Sequence, residues 1–77
     1  MITLEQAKNL KHGETLYHTV NRNADGSAQR WQVNGKPKTW KRTDHVSVPV
    51  KNGLRNYGYL TEHELNLVCL SEEEALN

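Results

Sequence analysis

Three dipeptides do most to restrict what this chain can fold into: Asp25-Gly26, Asn34-Gly35 and Asn52-Gly53. Such pairs favour the tight turns that join antiparallel strands, because glycine accepts positive φ freely and Asn or Asp tolerates it. The segments they separate are short and alternate in polarity, the period of a half-buried strand. In residues 14–21, Leu16, His18 and Val20 share one face, and Tyr17 and Thr19 the other. Residues 28–34 place Trp31 and Val33 together, and residues 38–42 read as a further short strand. Val46, Val48 and Val50 alternate with Ser47, Pro49 and Lys51, which puts the valines inward. Residues 54–60 return with Leu54 and Leu60 inward and Gly58 at a bulge or kink. Pro49 lacks a ladder donor, so it must sit at a bulge or face away from a neighbouring strand.

Helical signals frame these strands. Thr3 and Gln6 have capping-box spacing. Leu4, Ala7 and Leu10 form an apolar stripe and Gly13 is a stop, predicting a helix over 4–11. Thr61 and Glu64 repeat the box for a single turn before a final apolar strand over 65–70. Ser71 and Glu74 repeat it again, for an acidic tail or short helix over 71–77. One mainly β domain over residues 1–77 is predicted: an antiparallel barrel over 14–70, a short N-terminal helix and a one-turn helix before the last strand. This order resembles the Src-homology-3-like small barrel, which implies a closed or nearly closed sheet. The oligonucleotide-binding barrel needs a helix between its third and fourth strands, for which there is no room. A second resemblance is local. Lys38-Thr39-Trp40-Lys41-Arg42, then Val48-Pro49-Val50-Lys51, then Gly53-Leu54 are similar to small uncharacterised proteins of bacteriophages and prophages. That resemblance implies a viral origin and carries no activity.

The absence of phenylalanine leaves Leu, Val, two Trp and three Tyr to build the core of 77 residues. A chain this small buries only about 60% of its unfolded surface. A deep pocket would consume that core, which argues against a self-contained enzyme. The single cysteine, Cys69, has no intramolecular disulfide partner. With no signal-like or membrane-spanning stretch, a cytoplasmic protein (in a bacterial host) is expected. His12, His18, His45 and His63 lack the spacing of a zinc motif, so neither a metal nor a cofactor is expected.

Charge is where function is sought. Residues 1–21 are neutral, 22–55 carry a net +6, and 56–77 a net −5. The candidate binding set is Lys36, Lys38, Lys41, Arg42, Lys51, Arg55, Tyr57 and Tyr59. Cations interleaved with flat rings suit nucleic acid, the cations meeting phosphates and the rings stacking on bases. The same mixture suits a protein partner, such as a host protein that a viral accessory protein would modulate. The acidic end would then cover the basic strip or mimic phosphate. Trp31, Val33, Val46, Val48, Val50, Leu54 and Leu60 are expected in the core, and Trp40 is assigned to neither set.

Overall fold

In the computed structural model, which describes residues 2–40 and 45–77, the elements follow the predicted order. They are α1 (Leu4–Lys8), β1 (Thr15–Arg22), β2 (Ala28–Val33), β3 (Lys38–Thr39), β4 (Val46–Asn52), β5 (Asn56–Leu60), α2 (Glu62–Leu65), β6 (Val68–Cys69) and α3 (Glu72–Leu76). All strand pairs are antiparallel and β4 is central. One of its edges meets β2 at Val33–Val50 and, farther along, β3 at Lys38–Ser47. Its other edge carries β5, from Val48–Leu60 to Asn52–Asn56. β1 joins β2 to β6. The sheet is open: among the described residues β5 and β6 share no bridge, so the expected barrel closure is not formed. With only two residues, β6 is too short to reach around.

Asn34-Gly35 is not a hairpin turn. Four residues separate Val33 from Lys38, while two separate their partners Val50 and Ser47. Residues 34–37 are therefore a bulge in one interrupted strand. Gly35 has φ +140°, and a Cβ there would lie 3.2 Å from Pro49 Cγ. The Asn34 amide donates to the Pro49 carbonyl at 2.7 Å. A residue's N–H and C=O project to the same edge of an antiparallel strand. The donor that Pro49 lacks therefore faces the bulge, which is how a proline fits mid-sheet.

The inner face holds Leu16, Val33, Val46, Val48, Val50, Leu60 and Val68. Ile2, Ala7 and Leu10 cover them from the α1 side and Leu65 from α2, with Trp31 partly buried beside them. The capping box of α1 is present, but the helix stops at Lys8, and exposed Leu4 gives its expected place to Ile2. Leu65 lies in α2, not in the last strand. Leu54 is corrected most: it is 93% exposed, in the turn before β5. Alternation counted back from Leu60 fails there because a turn residue has no fixed face. Ser47, expected outward, is buried.

Among the described residues, the outer face is covered at one end only. There α3 packs Ala75 over Ala28 and Cys69, with Tyr17 alongside. Arg22 donates to the Ala75 carbonyl and to the His18 carbonyl, each at 3.0 Å. A cation at the C-terminal end of a helix is favourable.

His18 makes the irregularity of β1 possible. The register of β1 on β2 shifts between Tyr17 and Arg22. His18 Nδ1 accepts from the amides of Val20 at 3.0 Å and Asn21 at 2.9 Å, supplying partners that the broken ladder does not. Only an imidazole unprotonated at Nδ1 can accept, and the side chain is 9% exposed. Burial first, and the Arg22 charge second, hold its pKa below the ordinary value of 6.5. The unfolded chain then binds a proton near pH 6.5 while the folded chain stays neutral. The His18 contribution is thus full above that pH and declines as pH falls toward the folded pKa. The melting temperature of wild type should fall on acidification from pH 7 more steeply than that of His18→Asn, whose amide oxygen accepts without titrating. Parallel melting curves across pH 7 to 5 measure the difference, and equal slopes would contradict the assignment.

Candidate nucleic-acid interface

The part of the outer face that α3 leaves bare is built by cross-strand pairing. Lys51 of β4 stands opposite Tyr57 of β5 on one side and Gln32 of β2 on the other. Gln32 in turn faces Thr15 of β1. Two positions along, Tyr59 pairs with Pro49. Residues two apart on a strand share a face, so Tyr57, Tyr59, Lys51, Pro49, Gln32 and Arg30 form one surface. Tyr57 and Tyr59 are 65% and 61% exposed, each a phenol presented to solvent on a strand whose Leu60 is buried.

Arg30 and Gln32 were not among the expected site residues, although alternation with Trp31 and Val33 places both outward. The Arg30 guanidinium lies 5.8 Å from the centroid of Tyr17, within cation–π range. Its Nη2 is 3.8 Å from Glu72 Oε2 of α3. Glu72 Oε2 is shielded from water, while the Arg30 side chain is 61% exposed and keeps donors open to solvent beside the pair. A hollow of about 400 Å³ opens between Thr15, Arg30, Gln32, Lys51 and the 52–54 turn.

The remaining expected residues are distributed around this face. Arg55 is exposed in the β4–β5 turn beside Leu54. Lys38 is exposed on β3, opposite Ser47. Lys36 is exposed in the bulge and belongs to a different hollow, with Lys8 and Lys11. Lys41 and Arg42 lie outside the described residues. Trp40 is a surface residue, 51% exposed. It lines a hollow of about 260 Å³ with His45, Val46 and Thr61. His45 Nδ1 stands 2.9 Å from Glu62 Oε1, tying this end of the sheet to α2. Glu64 accepts from the Thr61 hydroxyl and amide, and the hydroxyl first holds its pKa below the usual carboxylate value.

Family models, curated proteins and solved structures give no match to this chain. The reading of function therefore rests on the geometry. Among the described residues, no three His, Cys, Asp or Glu side chains gather to hold a metal ion, and no helix is long and apolar enough to cross a membrane. What the outer face offers chemically is two exposed rings, neighbouring cations and amide groups, on an open surface.

Proposed function

We propose that the chain is a non-catalytic module that binds single-stranded nucleic acid on the outer face of its sheet. One observation carries this: the cross-strand row Tyr57–Lys51–Gln32, with Tyr59 beside it, on the part of the outer face that α3 leaves bare. Exposed rings on adjacent sheet positions stack bases at a spacing the backbone fixes, and this tolerates any base because each has a π face. Lys51, Arg30 and Arg55 border the rings and meet the phosphates. Gln32 adds a donor and an acceptor for a base edge. Opened between β5 and β6, the sheet keeps the element order that resembles the small barrel. The phage-protein pattern of residues 38–54 supports a viral module acting in the cytoplasm of a bacterial host.

Fluorescence anisotropy with a labelled mixed-sequence oligonucleotide tests the reading. Affinity should fall linearly with log salt, at about 0.7 per phosphate contacted for a single strand. No binding at low salt would end the proposal.

Leu54 favours a second reading. An exposed leucine at a hairpin tip sets an apolar contact beside Arg55 and near Tyr57, two residue types enriched in protein-binding hot spots. A stoichiometric partner retained from a nuclease-treated bacterial lysate, and lost with Leu54→Ser, would support a host-protein binder instead.

A further inference from the structure

The end of α1 and the bulge of residues 34–37 border a further, open hollow, of about 370 Å³, lined by Lys8, Asn9, Leu10, Lys11, His12 and Lys36. Three lysines from parts of the chain 25 or more residues apart converge there. Among the described residues no carboxylate lines the hollow and none of these lysines has an ion-pair partner. Gathering like charges without a counterion opposes folding, and an anion in the hollow would relieve that repulsion. The bulge that borders the hollow also reaches the outer face. Gly35 packs against Pro49, Pro49 pairs with Tyr59, and Lys36 is the next residue along the bulge.

We infer that this hollow is a second station for the phosphodiester backbone of the same strand. A strand stacked on Tyr57 and Tyr59 passes over Pro49 and the bulge, and its following phosphates sit among Lys36, Lys8 and Lys11. The inference rests on the outer-face reading and deepens it: the ligand is a strand longer than the tyrosines alone can cover. Its charge comes from three lysines and neither tyrosine nor tryptophan lines it, so its main contact is with the backbone.

Oligothymidines of about 4 and about 12 nucleotides, lengths within the range that known single-strand-binding domains cover, separate the two stations. The proteins compared are wild type, Lys8→Gln/Lys11→Gln and Lys36→Gln. All three lysines are exposed, and circular dichroism verifies the fold. The short oligomer should bind all three proteins alike. The long one should bind the double variant more weakly, with a salt slope lower by about 1.4, and Lys36→Gln with a slope lower by about 0.7. Unchanged affinity and slope for the long oligomer, or equal weakening of both oligomers, would overturn the inference while leaving the outer face intact. Failure of wild type to bind either oligomer would overturn both.

Discussion

Val48→Asp is expected to leave the chain unfolded at 25 °C, seen as loss of the cooperative thermal transition in circular dichroism. Val48 is fully buried at the middle of β4, the strand that holds β2, β3 and β5 together. Its partner across β5 is the buried Leu60. A carboxylate there would be charged and unpaired in an apolar setting, or neutral at the expense of a large pKa shift, and either outcome costs several kcal/mol. A domain of this size has about 4 to 12 kcal/mol in total. Leu54→Asp is the matched control. At 93% exposure its replacement should change stability by no more than about 0.5 kcal/mol. Unfolding by Leu54→Asp, or tolerance of Val48→Asp, would mean that the faces of β4 and its hairpin are misassigned.

Tyr57→Ala and Tyr59→Ala should each weaken binding to single-stranded oligonucleotides without unfolding the protein. Stacking one base on an aromatic ring contributes about 1–3 kcal/mol, which corresponds to roughly 5- to 150-fold in Kd for each variant. Because the rings carry no charge, the salt slope should stay at its wild-type value. Lys51→Gln should do the reverse, lowering the slope by about 0.7 with a smaller loss at high salt. Both tyrosines project from the face opposite the valine core, so melting temperatures should move little. Alanine variants that bind as wild type does would remove the rings from the ligand site.

Much of this arrangement was legible from local rules. The valine alternation of β4 placed Val46, Val48 and Val50 in the core, and the capping box at Thr3 located α1. Alternation from Leu60 turned Tyr57 and Tyr59 outward. What was not legible depends on tertiary placement. Asn34-Gly35 has the chemistry of a hairpin turn, but β2 and β3 lie on the same edge of β4, so the dipeptide serves a bulge. Leu54 belongs to a turn whose length decides where alternation begins. The convergence of Lys36 with Lys8 and Lys11 follows from α1 packing near the bulge, which no spacing in the sequence encodes. Arg22 and Arg30 take their roles from α3, whose seat on the outer face depends on small residues, Ala28, Cys69 and Ala75, meeting across the sheet.

The central claim is that the outer face of the sheet is the ligand surface, and backbone amide shifts under titration with a single-stranded oligothymidine test it most directly. The account predicts saturable shifts at Tyr57, Tyr59, Lys51, Gln32 and Arg30, diminishing with added salt, while the amides of the buried Leu16, Val33 and Val68 stay in place. Shifts confined to α2 and the surroundings of Trp40, or no shifts at low salt, would contradict it.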